Sequence, residues 1–268
     1  PTDAPRADLS TGRDGPVAEP ADGTTADRAG DRAAADRVTA DAKLAAQAGE
    51  QTVKQQAQAS LQALVASLAV SMGIPSEMSF QLHLLDDPAP NAFATLGGHI
   101  FVTQGLLAAV SSENALAMVL AHEMAHVKFR HPIQAMSRGA LLQLIITMVG
   151  GGQGVALNGV LGQTGLLTLL SFNRDMERES DAAAMAGLTQ HYGHLAGADE
   201  FFSEVLARHG DAGWRAAFET HPGTQERVDA IAARIKLMQG NAETSQRLTP
   251  LAESLLAIKT KAERDVDP

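Results

Sequence analysis

Ala121-His122-Glu123-Met124-Ala125-His126 is the stretch that decides the fold, because it sets a His-Glu-x-x-His pattern inside a segment with helical spacing. Residues four apart lie on one face of an α-helix, one turn from each other, so His122 and His126 can reach one ion. Glu123 lies close enough to hold an attacking water. Two histidines on a solvated helix face would give the same pattern. The flanking residues, however, are apolar: Leu116, Val119, Leu120 and Val127. A half-buried histidine pair needs partners, and a metal ion is the simplest one.

Composition favours a helical and acidic protein. The chain has 268 residues, of which 45% are hydrophobic and only 4% aromatic, and alanine is abundant. This composition predicts a mainly α fold with a small β-sheet, of the α+β class. The net charge is −10 and no basic patch is visible, so we expect no nucleic-acid binding. No cysteine is present, so any metal must be held by histidine and carboxylate side chains.

The first 70 residues change from tail-like to helical. Residues 1–35 have almost no bulky apolar side chain, and such a segment cannot bury enough surface to become ordered, which predicts a disordered tail. From Asp36 to Met72 the chain is rich in Ala and Gln and predicts a long helix. Its C-terminal half carries apolar residues at helical spacing: Leu61, Leu64, Val65 and Leu68. Gly73-Ile74-Pro75 ends this helix.

These features predict a simple domain organisation. We expect a tail, residues 1–35, followed by a single domain, residues 36–268, whose core lies within 75–235. The chain begins at Pro1 and shows no apolar signal segment, as expected for a product whose signal peptide has been removed. A periplasmic or membrane-associated location fits this expectation.

Two segments before the motif predict strands. Phe80–Leu84 alternates apolar and polar residues, which is typical of a half-buried strand. His99–Thr103 follows Gly97-Gly98 and predicts a second strand. We expect His83 and His99 to face outward, since no carboxylate stands at ligand spacing from either.

The motif helix has recognisable ends. Ser111-Ser112-Glu113 supplies a cap and an acidic first turn. His131-Pro132 predicts the other end, because a residue before proline is pushed out of helical geometry. His131 could support the site, although a cation at a helix C-terminus needs no such role.

The 35 residues from Gly139 to Asn173 contain no charged side chain. Glycines in the middle divide this segment, so neither Leu141–Val149 nor Val155–Phe172 is suited to cross a bilayer. We expect two short buried helices joined by a glycine loop. A flap that makes peripheral contact with a membrane is the alternative.

A third metal ligand is needed, and no histidine at close spacing supplies it. The charged segment Asn173–Asp181 predicts the start of a helix on which Glu177 and Asp181 share one face. Glu177 could bind the metal, while Asp181 orients an imidazole. The alternative is a solvated helix start, with Arg178 and Glu179 as ordinary surface residues.

Three motifs in this order resemble the M48 family of zinc peptidases. They are His122-Glu-x-x-His126, Asn173-Arg-x-x-Glu-x-Glu-x-Asp181 and Thr220-His-Pro-x-x-x-x-Arg227. Asn91–Ala94 and Gly97–Leu106 are similar to the family's strand before the active-site helix. The likeness covers roughly residues 75–235, and Ser180 stands where the family usually has alanine.

The resemblance implies a gluzincin-type zinc metallopeptidase domain with one Zn²⁺ per chain. His122, His126 and Glu177 are the implied zinc ligands. Glu123 is implied as the general base, and His221 as the group that stabilises the oxyanion. These roles agree with the chemistry of the side chains, since a carboxylate can move the proton of a water and an imidazolium can donate to an anion.

The resemblance also implies supporting and substrate-binding residues. Asp181 is implied to support the ligands, and Arg227 could pair with a site carboxylate or be an exposed surface arginine. In the family, the substrate lies extended along an edge strand. The corresponding residues here are Gly98, His99, Ile100 and Phe101.

The predicted function is therefore a zinc endopeptidase that hydrolyses unfolded or extended polypeptides, with misfolded envelope proteins as candidate partners in envelope quality control. One alternative is a chaperone-like protein that binds polypeptides with little cleavage. A second is a peptidase kept latent by the Gly-rich 139–173 segment. A third is a protein in which zinc is only structural.

Overall fold

The elements of the fold come from a computed structural model, which describes residues 24–135, 137, 172–208, 221, 224–239 and 247–266. The helices are α1 (Thr24–Ser71), α2 (Gln104–Ala109), α3 (Glu113–Lys128), α4 (Arg174–Tyr192), α5 (Glu200–Ala207), α6 (Thr224–Gln239) and α7 (Glu253–Val266). The strands are β1 (Gln81–Leu85), β2 (Ala92–Ala94) and β3 (His99–Thr103). The prediction of a mainly helical fold with a small sheet is confirmed.

Helix α1 begins at Thr24, so it is longer than the helix predicted from Asp36. Alanine, which carries the highest helix propensity, outweighs the missing apolar face in this stretch. The four residues predicted to face the core are buried: Leu61, Leu64, Val65 and Leu68. Contacts divide the chain into two units, Pro1–Gly49 and Glu50–Pro268, and the four buried residues belong to the second.

The sheet has the order β1-β3-β2, so β3 is its central strand. Strand β1 pairs with β3 in parallel, from Gln81 opposite His99 onward, while β2 pairs with β3 antiparallel. The bounds predicted for β3 are confirmed, and β1 begins one residue later than predicted. The prediction that residues near Gly98–Thr103 form an edge strand is wrong. Strand β2 occupies that edge, and with only three residues it has no alternating pattern to detect.

Helix α3 lies in the centre of the second unit. Ser112 accepts a hydrogen bond from the backbone N–H of Ala115 and caps the helix, as predicted. Every residue from Asn114 to His126 is buried, because α3 packs against both α4 and β2. The helix ends at Lys128, three residues before the predicted end, and Arg130 then takes a left-handed φ of 58°.

No helix among the described residues is both long and apolar enough to cross a membrane. The two short helices predicted within the uncharged segment lie outside the described residues, except for Phe172 at the end of the second. A membrane-contacting flap in this segment remains a prediction.

Candidate metal centre

Helices α3 and α4 bring the three predicted metal ligands together. Nε2 of His122 lies 3.4 Å from Oε2 of Glu177, and Nε2 of His126 lies 3.5 Å from Oε1 of the same carboxylate. All three side chains are buried. Glu177 stands in the first turns of α4, whose N-terminus is capped by the side chain of Asn173. Ligands from two packed helices are held more precisely than ligands from loops.

The outer ring nitrogens of the two histidines are fully occupied. Nδ1 of His122 lies 2.9 Å from Oδ1 of Asp181, so this nitrogen is the donor. Nδ1 of His126 lies 3.0 Å from Nδ1 of His131. In a neutral imidazole one nitrogen donates and the other accepts. The two Nε2 atoms face each other, 2.9 Å apart, on the side of the rings that contacts Glu177.

Four buried side chains direct potential ligand atoms at one point, and this is the observation that points to a metal. The ligand atoms of His122, His126, Glu177 and His221 all lie within 4.8 Å of one another. Imidazole nitrogens and carboxylate oxygens are donors that Zn²⁺ accepts in catalytic sites. The residues present therefore fit a metal of this kind.

Arg227 is buried and pairs with both carboxylates of α4, rather than lying exposed on the surface. Its Nε donates to Oδ2 of Asp181 at 2.8 Å and its second terminal nitrogen to Oδ1 at 2.9 Å. The remaining nitrogen lies 2.8 Å from Oε2 of Glu177. Burial raises the pKa of Asp181, but hydrogen bonds from His122 and Arg227 outweigh burial and hold this pKa at about 2. Asp181 is therefore ionised and can fix the ring of His122.

Glu123 lies between the ligands and the sheet. Its Oε2 accepts a hydrogen bond from the backbone N–H of Ala94 at 2.9 Å. Its Oε1 lies 3.2 Å from Nε2 of His221. The side chain is buried, so its carboxylate faces the site and the edge of β2 rather than solvent.

His221 reaches the same centre from the opposite side. Its Nδ1 lies 3.2 Å from Oε1 of Glu177 and 3.4 Å from Nε2 of His122. This places His221 within reach of a shared ion, a position that the predicted oxyanion role did not anticipate. Burial lowers the pKa of His221, but the carboxylates of Glu177 and Glu123 reverse this effect and raise the pKa to about 10.

Three further residues take part that sequence reasoning missed or left without a role. His131 is buried, and its Nε2 lies 3.2 Å from Oε2 of Glu179. The ring of Phe172 stacks on the ring of His126 with centroids 3.8 Å apart. His131 is five residues after His126, off the helical ligand face, so only the chain reversal after α3 brings the two together. The sequence held one indication that Phe172 lies near the site, because this residue directly precedes Asn173, which caps the helix that carries Glu177.

The four predicted substrate-binding residues do not line the site, because β2 stands between β3 and α3. Ile100 is fully buried, and Phe101 stacks on Phe93 with centroids 5.0 Å apart. The rings of His83 and His99 are half-buried and hydrogen-bonded to each other at 3.0 Å, on the same face as Phe101.

A small pocket lies beside Glu123. Most of its wall is apolar, and its residues come from β2, α3, α5 and the His221–Arg227 segment: Asn91, Ala92, Val119, Glu123, Phe201, Phe202, Val205, His221 and Arg227.

Known proteins share this arrangement of motifs. The model of peptidase family M48 matches residues 55–235. The mitochondrial metalloendopeptidase OMA1 of Schizosaccharomyces pombe is 32% identical over 173 residues, which are 63% of this chain and 51% of that protein. The β-barrel assembly-enhancing protease of Yersinia pestis is 34% identical over 115 residues, or 38% of this chain and 23% of that protein. The protease HtpX homologue of Methylibium petroleiphilum is 28% identical over 211 residues, which are 64% of this chain and 73% of that protein.

The chain thus spans about half the length of the yeast relative and about a quarter of the Yersinia relative. The family match covers most of the second unit, including α3, the sheet, Glu177, His221 and Arg227. The chain belongs to peptidase family M48, whose model matches residues 55–235.

Proposed function

We propose that this chain is a zinc-dependent endopeptidase that hydrolyses peptide bonds in unfolded or extended polypeptides. The observation that carries the proposal is the convergence of two imidazole Nε2 atoms and the Glu177 carboxylate directly beside the buried carboxylate of Glu123. A family match that includes all of these residues supports it.

His122, His126 and Glu177 would hold the zinc ion, one per chain. When bound, zinc supplies a Lewis acid that polarises the scissile carbonyl and acidifies water. The protein keeps the ligands oriented through Asp181, which holds the ring of His122, and Arg227, which holds both carboxylates.

Glu123 is the proposed general base. It takes a proton from the attacking water and passes it to the leaving amine, both of which need a carboxylate within hydrogen-bond reach. Its present contacts, the N–H of Ala94 and the ring of His221, keep the carboxylate aimed at the space above the ligands.

His221 is the proposed donor to the oxyanion. Its raised pKa keeps the ring protonated near neutral pH, and its buried Nε2 lies 3.2 Å from Oε1 of Glu123, beside the space above the ligands. Such a preorganised donor stabilises the charge that develops on the carbonyl oxygen.

The edge of β2 is the proposed substrate strand, in place of β3. In the antiparallel β2–β3 pair, Asn91 and Thr95 hydrogen-bond toward β3, so the backbone groups of Ala92 and Ala94 point away from β3. The N–H of Ala94 is bonded to Glu123, so the backbone groups of Ala92 and the carbonyl of Ala94 would pair with a substrate. The other edge of the sheet is covered, because the Gln62 side chain donates to the Phe80 carbonyl and accepts from the Leu82 N–H. An extended polypeptide can therefore add to β2.

Zinc analysis with a casein digestion assay tests the proposal. We expect one zinc per chain, digestion that a chelator abolishes, and restoration by added zinc. Glu123→Gln should abolish digestion yet retain zinc and polypeptide binding. The matched control is Glu204→Gln, at an exposed position on α5, which should digest casein like the wild type. Unchanged digestion by Glu123→Gln would contradict the proposed base. Binding with no cleavage by the wild type would favour the chaperone-like alternative.

A latent form of the same peptidase is a second candidate, favoured by the burial of the whole site and by the Phe172 ring stacked on His126. A substrate cannot reach His126 while this ring covers it. Limited proteolysis within residues 150–165, or the variant Phe172→Ala, should then raise casein digestion. Digestion rates that stay the same after both changes would contradict latency.

An envelope role belongs to the proposal as well. It is supported by the likeness to a protein named for enhancing β-barrel assembly, and misfolded envelope proteins would then be the partners. The corresponding location is periplasmic or membrane-associated. Fractionation of the source cells tests it, since recovery of the protein in the cytosol alone would contradict it.

A further inference from the structure

We propose that His131 and Glu179 act as a positioning pair that holds the imidazole of His126 with its Nε2 aimed at the metal. This inference rests on the proposed function only in that it takes the cluster of His122, His126 and Glu177 to bind zinc. It assigns a role to two residues that lie outside the ligand set.

The contacts form a chain of three side chains from the buried ligand to the surface. Nδ1 of His126 lies 3.0 Å from Nδ1 of His131, and Nε2 of His131 lies 3.2 Å from Oε2 of Glu179. His126 and His131 are buried, while the Glu179 side chain is 53% exposed. The hydroxyl of Ser180 lies 3.4 Å from Nδ1 of His131, at the margin of a hydrogen bond.

The direction of each hydrogen bond follows from Glu179, the last of the three side chains. An ionised carboxylate only accepts, so Glu179 requires a proton on Nε2 of His131. Nδ1 of the neutral His131 ring then has a lone pair and accepts from Nδ1–H of His126. That assignment leaves Nε2 of His126 unprotonated and able to bind a metal.

The two metal-binding histidines are therefore held in different ways. His122 contacts the carboxylate of Asp181 directly, and Arg227 fixes that carboxylate in turn. His126 contacts a neutral imidazole, and the carboxylate stands one residue further out. The left-handed turn at Arg130, with φ of 58°, returns the chain after α3 so that His131 faces His126.

Removal of His131 would leave a buried N–H on His126 without its acceptor and free the ring to turn or change tautomer. Loss of such an outer partner typically weakens metal binding by about 10–100-fold. A role in packing alone would make the size of the side chain, and not its hydrogen bonds, the property that matters.

The test measures the Zn²⁺ dissociation constant of the metal-free full chain by competition with a chromophoric chelator. We expect His131→Leu to weaken zinc binding by about 10–100-fold, whereas His131→Gln, which can both accept and donate, recovers most of the affinity. The visible spectrum of the Co²⁺-loaded protein should shift in His131→Leu and return toward the wild type in His131→Gln. The matched control is His191→Leu. His191 lies at the far end of α4, where its imidazole is hydrogen-bonded to Ser71 of α1, so this variant should bind zinc normally.

Two results would overturn the inference. One is wild-type zinc affinity in His131→Leu, and the other is an equal loss in His131→Leu and His131→Gln. If His131→Leu does not fold, Glu179→Ala decides, since a half-exposed carboxylate is not needed for the core: weaker zinc binding supports the pair, and unchanged binding overturns it. A wild type that binds zinc but digests no polypeptide contradicts the proposed function and leaves this result intact.

Discussion

At the scale of single residues, some side chains of the site could be predicted from the sequence and others could not. Helical spacing predicted that His122 and His126 share one face, whereas the resemblance to the family implied Glu177 as their partner. The burial of Arg227 was not predictable, since an arginine becomes buried only where carboxylates meet it and those come from another helix. Its guanidinium contacts Asp181 and Glu177 and lies 4.5 Å from the ring centroid of Phe202.

Arg227→Met should strongly destabilise the metal-free protein. The change leaves Asp181 and Glu177 buried without their cation, and breaking a buried ion pair in this way costs about 3–5 kcal/mol. Arg178→Met is the matched control. Arg178 pairs with Asp175 and Glu226 at an exposed position, and an exposed ion pair contributes only about 0–1 kcal/mol to stability. Urea unfolding measures both free energies, and equal losses in the two variants would contradict this account of Arg227.

Gly98→Ala should lower the free energy of unfolding by more than Gly193→Ala does. Both glycines have a left-handed φ, of 81° and 77°, which costs an alanine about 1–2 kcal/mol. At Gly98 an added Cβ would also lie 2.2 Å from the carbonyl oxygen of Ser79, whereas at Gly193 nothing lies within 4 Å. Thermal unfolding gives the comparison, and equal effects would show that the backbone at Gly98 moves to make room.

At the scale of elements, the pairing of the sheet differs most from the sequence-based prediction. Strand β3 has five residues and an alternating pattern, so its bounds could be predicted. Strand β2 has three, and its residues were recognisable only by likeness to a family strand. Because β2 was not identified as a separate partner, β3 was taken for the edge strand of the sheet.

Gln62→Ala should destabilise the protein through the edge of β1. The side-chain amide of Gln62 pairs with both the Phe80 carbonyl and the Leu82 N–H at 3.0 Å, and each such bond contributes about 1 kcal/mol. Gln225→Ala removes an amide whose partner is the exposed Asp229, and it should have little effect. Equal unfolding free energies for the two variants would mean that water replaces Gln62 at the edge without loss.

At the scale of the whole molecule, the start of the catalytic unit stays a prediction, with two candidate positions. The sequence placed the boundary near residue 36, where apolar residues become more frequent. Contacts place it after Gly49, and the first buried residue of α1 is Ala57. Composition reports where a segment becomes helical, but only the packing of its neighbours decides where the helix joins a core.

Deletion of residues 1–49 should therefore leave the unfolding temperature and the zinc affinity unchanged, because no residue before Ala57 in the described part of α1 is buried. Deletion of residues 251–268 is the contrasting change. It removes α7 and the buried side chains Leu251, Leu255 and Ile258, which pack in the core with α2. We expect this shorter chain to unfold at a clearly lower temperature. A lower unfolding temperature after the first deletion would place the boundary nearer to residue 36.

Phe172 connects the cover over His126 with the start of the helix that carries Glu177. Its ring covers His126, and the next residue, Asn173, caps the helix on which Glu177 stands one turn further along. The cover and the third ligand are thus carried by the same short piece of backbone. A displacement of Phe172 that admitted a polypeptide would also move the cap of the helix that carries Glu177, so we expect metal affinity and substrate entry to change together.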